Sequence, residues 1–446
     1  MRTMMRDQLP LMQEYIEHEH AAELSAMSQA LDDCPNVLQQ VEQDLVAGHD
    51  ASLGRRGLSA DQVVRALVIK QLNGFSYAEL AFHLADSTCY RRFCRIGSLE
   101  KSPSKSTLQE NIKRVSASSL EAISRQLVLL AKREGIETGD TIRGDCTPVE
   151  STIHPPTDSW LLWDTERVLI RELKRSREFG VQFTNHKRRV KRLWLAITNV
   201  NCREDRALLY RDLVKMVKET LKDAQRAIST LSGIDDERGQ CIRIQLQHYV
   251  DLGCRVVDQS CRRVFEGESV PSQEKIVSIF ETHTDILVKG RRKVDYGHKI
   301  CLTTGVSSMV LDCMILEGNP ADKILATEMI RRHQDIYGEA PSQAAFDGGF
   351  ASKANVVELK AMGVEDIAFS KRCGLAIHEM VTQSWIYKRL RDFRAGIEGC
   401  ISFLKRSFGL SRCSWKGFQS FKAYVWGSIL SANLLICARH KLVSAQ

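Results

Sequence analysis

From residue 284 onward the sequence switches repeatedly between two hydrophobic periods, and that switching constrains the fold more than any other feature. Residues 285–288, 297–304 and 309–316 are β-branched or alternating runs bounded by turn residues, which predicts strands. Residues 323–337 carry the spacing of an amphipathic helix. A short apolar strand over 343–346 ends at Asp347, with Gly348 and Gly349 after it. A helix over 352–362 is stopped by Gly363, residues 366–370 form another strand, and a long helix runs over about 392–408. Far upstream, residues 141–152 are β-like around Asp145. Strands and helices alternating in this way predict an α/β domain with a mixed sheet and flanking helices.

The rest of the chain reads as helical. At roughly 150 residues per domain, 446 residues suggest about three domains. Residues 1–138 are an all-α N-terminal domain, and 161–284 a helical insertion; 139–160 and 285–440 make up the α/β domain. Within the first, Val63, Val64, Leu67, Val68 and Leu72 share one helix face, and Gly74 ends that helix. Ser76 and Glu79 have the spacing of a capping box and open a second helix, while Ser87 starts a third segment carrying Arg91, Arg92 and Arg95. Over 58–96 this is the outline of a helix-turn-helix, and an ordinary helical bundle has nearly the same pattern.

The net charge of +8 is mild, so its meaning depends on clustering. The insertion supplies the cluster: Arg171, Lys174, Arg175 and Arg177, then Lys187, Arg188, Arg189, Lys191 and Arg192. Charge runs are usually solvated faces, but cations of one sign sum to a field that attracts phosphates. The 14 cysteines have no CxxC or zinc spacing and read as reduced thiols. The first 20 residues are charged throughout, unlike a signal peptide, and the apolar stretch 423–438 is shorter than a membrane span and polar in places. These features predict a cytoplasmic chain that does not span a membrane. No GxxxxGK[ST] loop is present, so no nucleotide cofactor is expected.

Three acids stand out by position. Asp145 lies in the first strand, Asp347 at a strand end where α/β folds place ligands, and Glu398 within the last long helix. At about 100° per residue, Arg394, Arg391 and Lys405 fall within about 40° of Glu398. Ile397, Ile401, Leu404 and Phe408 form a separate apolar stripe. One carboxylate among three cations is also what a solvated face with i,i+4 ion pairs presents. Carboxylates converging from distant segments suit Mg²⁺ or Mn²⁺, hard cations that prefer oxygen ligands. Arg391, Arg394 and Lys405 would then hold a phosphate backbone.

At these residues the chain resembles the DDE transposases of bacterial insertion sequences. Arg394, Glu398 and Lys405 match the last three positions of that family's Tyr-Arg-Glu-Lys signature. Also similar are Arg143-Gly-Asp-Cys-Thr147, Pro156-Thr-Asp-Ser159, Ala345-Phe-Asp-Gly-Gly-Phe350, Phe393-Arg-Ala-Gly-Ile-Glu-Gly399 and Asn433-Leu-Leu. Each is weak alone; in this order, over about 58–440, they make a specific pattern. The resemblance implies an RNase H-like catalytic domain whose metal-binding triad is Asp145, Asp347 and Glu398, with two Mg²⁺ ions that Mn²⁺ can replace. It implies hydrolysis at the ends of an element and transfer of the freed strand into target DNA. The partners would be double-stranded DNA, as terminal inverted repeats and target, and a second copy of the chain on that DNA. One position departs: where the signature has tyrosine, Arg391 stands, and Tyr387, on the same helix face, is the candidate for that role.

Two other readings stay open: a non-catalytic repeat-binding protein derived from a transposase, and an RNase H-like nuclease that cuts without joining. The intact triad argues against the first and the basic insertion against the second. Asp158 is an alternative ligand to Asp145. Asp295 with His298, and His18, Glu19 and His20, are further candidates that read more simply as structural or solvated side chains.

Overall fold

The computed structural model describes residues 18–34, 38–48, 57–97, 100–289 and 293–444. Among the described residues, seven helices precede the first strand: α1 (Glu19–Asp32), α2 (Leu38–Val46), α3 (Ala60–Asn73), α4 (Tyr77–Asp86), α5 (Thr88–Phe93), α6 (Lys105–Arg114) and α7 (Ala117–Arg133). After β1 (Thr141–Glu150) come α8 (Asp158–Arg175), α9 (Lys187–Asn199), α10 (Arg203–Ser232) and α11 (Glu237–Val264). The remaining chain runs β2 (Asp285–Lys289), β3 (Lys293–Thr304), β4 (Val310–Ile315), α12 (Ala326–Tyr337), β5 (Gln343–Phe346), α13 (Lys353–Ala361), β6 (Asp366–Phe369), α14 (Ile377–Met380), α15 (Ser384–Ser407) and α16 (Phe418–Ser444). The expected α/β class with a mixed six-stranded sheet is therefore what the chain adopts.

The chain divides into two compact units, residues 1–150 with 298–446, and residues 151–297. In the first, β3, β1, β5 and β6 lie side by side in that order, with β4 also on β3. β1 and β5 pair in parallel, as do β5 and β6, while β3 and β4 are antiparallel. Continuous apolar runs such as Ala344-Ala345-Phe346 suit strands buried on both faces, and those three side chains are fully buried. One core joins the sheet to the helices before β1, because α16 packs against α1, α3, α7 and β4. The helix α16 is long and apolar enough to cross a membrane, yet 89% of its apolar window is buried inside the fold. Its Asn433 explains a polar residue in such a helix: the side-chain amide accepts from Val310 N–H and donates to Val310 C=O of β4.

In the second unit α8, α9, α10 and α11 enclose their own apolar core. There β2 pairs antiparallel with the first residues of β3, from Lys293 to Gly297.

The N-terminal helices follow the capping signals. Ser59 with Gln62, and Ser76 with Glu79, form complete capping boxes at α3 and α4, and Gly74 closes α3 in the left-handed region. The third segment is short: Ser87 caps α5, which is six residues long and carries Arg91 and Arg92, with Arg95 just past its end. Arg91 donates to the carbonyls of Leu84, Gly97 and Glu100, and Arg95 is paired with Asp32 and Asp61. Backbone carbonyls and neighbouring acids thus engage two of the three arginines. Arg65, fully buried on α3, ties the same region together through Asp61, Asp32, Ser28 and the Phe93 carbonyl.

The cysteines also differ from expectation. Cys146 and Cys301 are joined in a disulfide, 155 residues apart in sequence with Cα atoms 4.2 Å apart. They face each other because β1 and β3 are neighbouring strands, a juxtaposition that spacing along the chain does not encode. The other 12 form no disulfide among the described residues.

Candidate functional site

The strand register brings the first two acids together. Gly144 of β1 pairs with Phe346, the last residue of β5, so Asp145, inside β1, and Asp347, just past β5, follow directly on a parallel pair. Neighbouring strands lie about 4.8 Å apart, which places both carboxylates at the same sheet edge. Gly144 is required by this approach, because a Cβ there would lie 2.7 Å from the Phe346 ring.

The third acid arrives on α15, which lies across β1, β5 and β6. Its apolar stripe is the expected one: Ile397, Leu404 and, just past its end, Phe408 are buried, with Ile401 half-buried. The helix begins at Ser384 rather than near residue 392, because Ile386, Tyr387 and Leu390 continue the stripe backwards. On the face beside it, Arg394 points at the sheet edge. Its Nη2 lies 2.8 Å from Asp145 Oδ2 and 3.3 Å from Asp347 Oδ1, and its Nη1 lies 3.2 Å from Glu398 Oε1. One guanidinium therefore touches all three carboxylates.

Environment separates the acids. Asp145 is mostly buried, which pushes its carboxyl up; Arg394 and the Cys146 N–H pull it down, Asp347 adds to the rise, and the net direction is upward. Partial burial also pushes Asp347 up, but the Ser370 hydroxyl, 2.7 Å away, the N–H groups of Gly348 and Gly349, and Arg394 outweigh it and hold that carboxyl below its usual range. Glu398 is the most exposed of the three, its side chain 69% accessible.

Could these residues hold a divalent cation? Among the described residues no group of three or more His, Cys, Asp or Glu is arranged to hold a metal ion. The acids converge on a shared positive charge rather than on one another. Their chemistry nonetheless fits a hard cation: three carboxylates from three elements already contact one cationic group.

Other expected residues fall elsewhere. Arg391 is exposed beside Asp392 and makes no contact with the three acids. Lys405 is half-buried in the last turn of α15. Tyr387 is not free to replace a signature tyrosine, since it is buried and its hydroxyl donates to the Phe369 carbonyl at 2.8 Å, fastening α15 to β6. Asp158 belongs to the second unit, where it is the first residue of α8 and pairs with Arg263 at 3.1 Å. His298 is buried against Phe418 and Phe421, a structural histidine, and Asp295 is buried. His18 caps α1 and His20 lies 3.5 Å from Glu23; Glu19 is exposed in the first turn of α1.

The basic residues of the second unit divide sharply. On α8, Arg171 and Arg175 both bond the buried Glu172, and just beyond it Arg177 lies over the Phe183 ring. On α9, Lys187, Arg188, Arg189, Lys191 and Arg192 are all exposed, and among the described residues none has an ion-pair partner. Of the two clusters, α9 presents the uncompensated cationic face.

Sequence reading gave Arg143 no role of its own. It is buried on β1, and its guanidinium donates to Thr304 Oγ1, Ser308 Oγ and the Phe393 carbonyl while lying over the Phe393 ring. The signal that could have found it is alternation: Arg143 and Asp145 are two apart on a strand and share a face, the one that meets α15.

Comparison with known proteins matches one stretch of the chain. Residues 11–114 match the family described as Transposase domain (DUF772). Nothing among curated proteins or solved structures matches the chain. The matched stretch covers the N-terminal helices and supports a transposase-related function.

Proposed function

We propose that the chain is a DDE transposase: an RNase H-like domain that hydrolyses DNA at the ends of an insertion sequence and joins the freed 3′-hydroxyl to target DNA. The observation that carries this reading is the convergence of Asp145, Asp347 and Glu398 on one cationic group. Asp145, within β1, and Asp347, just past the end of β5, would hold divalent cations, and Glu398 would complete the set from α15. Two Mg²⁺ ions, or Mn²⁺ in their place, would supply activation of a water or 3′-hydroxyl and stabilisation of the leaving oxygen.

The chain's own residues supply the rest. Ser370 and the Gly348 and Gly349 amides keep Asp347 ionised and aimed at the edge. Arg391, exposed on the same helix, and Lys405 in its last turn would grip the DNA backbone. The five cations of α9 would neutralise further phosphates. The helices over 58–96 would read the terminal repeats in the manner of a helix-turn-helix. Two ends must be brought together, so the working species would be a homodimer on DNA, acting in the cytoplasm at the nucleoid.

The test is incubation of the full chain with duplex DNA carrying the element end, with Mn²⁺ added. Nicks at the repeat boundary and joined products are expected. Binding without nicks would favour the non-catalytic repeat-binding reading, and nicks without joining the simple nuclease.

A further inference from the structure

Arg394 sits in an unusual place for a residue that grips a substrate phosphate. Its side chain is only 14% exposed, its two terminal nitrogens are spent on three carboxylates, and its Nε is buried with no hydrogen-bond partner among the described residues. Arginine grips phosphate well when its donor fork faces outward. Here the fork faces inward. The three acids explain why: brought to one sheet edge, two of them on adjacent strands, they repel, and a half-buried cluster of like charge is costly without a cation. Arg394 is the residue that supplies the opposite charge to all three.

We propose that Arg394 is an internal counter-cation that competes with divalent ions for the carboxylate oxygens. The inference rests on the reading of Asp145, Asp347 and Glu398 as metal ligands. In the protein free of DNA and metal, Arg394 keeps the acids assembled. A cation binding there shares their oxygens and weakens the hold on the guanidinium. A DNA phosphate at the edge draws Arg394 outward and leaves the acids short of positive charge. Metal and DNA therefore favour each other's binding through one side chain, and by linkage the coupling is the same in both directions. The consequence is selective: the acids are weak metal ligands in the free protein and strong ones on DNA.

The experiment is a Mn²⁺ titration of the full chain without DNA, read by electron paramagnetic resonance, on the wild type, Arg394→Gln and Arg394→Lys. Arg394→Gln removes the competing charge and should bind Mn²⁺ about tenfold more tightly than the wild type, whereas Arg394→Lys should stay near it. Equal or weaker Mn²⁺ binding by Arg394→Gln overturns the proposal. Asp347→Asn serves as the reference for the underlying reading. If neither the wild type nor Arg394→Gln binds Mn²⁺, or if Asp347→Asn binds it as tightly as the wild type, the metal site itself fails, an outcome distinct from failure of the competition.

A second measurement needs no variant at Arg394. Phenylglyoxal modifies accessible arginines, and mass spectrometry locates the adduct. Adding Mn²⁺ to the wild type should raise labelling of Arg394 while leaving Arg65, fully buried in α3, unlabelled. Mn²⁺ that binds without changing Arg394 labelling sinks the proposal.

Discussion

The guanidinium of Arg143 fills the space that a side chain at residue 396 would need. A Cβ on Gly396 would collide with Nη1, and the same nitrogen donates to the Phe393 carbonyl at 2.9 Å. Glycine in the middle of a long helix normally costs about 1 kcal/mol relative to alanine. Here it lets a buried cation on β1 dock into α15, close to both Arg394 and Glu398, so the relative placement of Asp145 and Glu398 depends on this contact.

Gly396→Ala should accordingly destabilise the protein, against the usual helix preference, by about 1–3 kcal/mol, the range for forcing extra atoms into a packed site. Chemical denaturation measures it. A variant as stable as the wild type, or more so, would show that α15 is free to shift away from β1.

Removing the acids one at a time separates chemistry from binding. Asp145→Asn, Asp347→Asn and Glu398→Gln should each lower Mn²⁺-dependent nicking of element-end DNA by about 10²-fold or more. DNA affinity, measured by gel shift, should remain within a few-fold, because none of the three is a cation. Near-normal nicking in any one of them removes that residue from the proposed triad.

The exposed face of α9 predicts a salt effect. Replacing Lys187, Arg188, Arg189, Lys191 and Arg192 by glutamine or alanine should flatten the dependence of log affinity on log salt by about 0.9 for each phosphate that the protein no longer neutralises. The equivalent change at Arg171 and Arg175 should act mainly on stability, because those side chains neutralise the buried Glu172. An unchanged slope after the α9 substitutions means that this face meets only solvent.

The second unit carries its own pH dependence. Glu166 on α8 is fully buried, and that burial, with the nearby Asp223 charge, pushes its carboxyl from 4.5 up to about 7 despite the Thr220 hydroxyl. The folded protein thus holds this proton more tightly than the unfolded chain does. Stability from Glu166 is complete below about 4.5 and is lost as the pH rises through about 7. Glu166→Gln keeps the shape without the charge, so it should raise stability above neutral pH, by up to about 3 kcal/mol, and flatten the profile between those values. Parallel pH–stability curves for the two proteins would falsify this assignment.

How much of this was legible beforehand follows from the range of each interaction. The strands 343–346 and 366–369, the helix that carries Glu398, the Gly74 stop of α3 and the capping box of α4 are local patterns, set by residues within a turn or two, and they were readable. Asp347 was singled out because a strand ending in two glycines must expose its last carboxylate. The roles of the basic residues were not readable: Arg91, Arg95, Arg171 and Arg175 look like those of α9 in sequence, and only their carbonyl and carboxylate neighbours separate them. Tyr387 fell on the right helix face but met the Phe369 carbonyl, a partner 18 residues away across the sheet.

By itself, then, the amino-acid order determined the element types, their order and the three acids worth watching, since periodicity, caps and turn residues act over short stretches of chain. Tertiary structure alone decided that β1 and β5 align Asp145 with Asp347, that Cys146 meets Cys301, and that Arg394 turns inward to all three acids. The links across the sheet join segments as far apart as 155 and 249 residues, where a thiol or a guanidinium meets its partner only after the strands have paired. Register and packing, which no local pattern encodes, choose the partners.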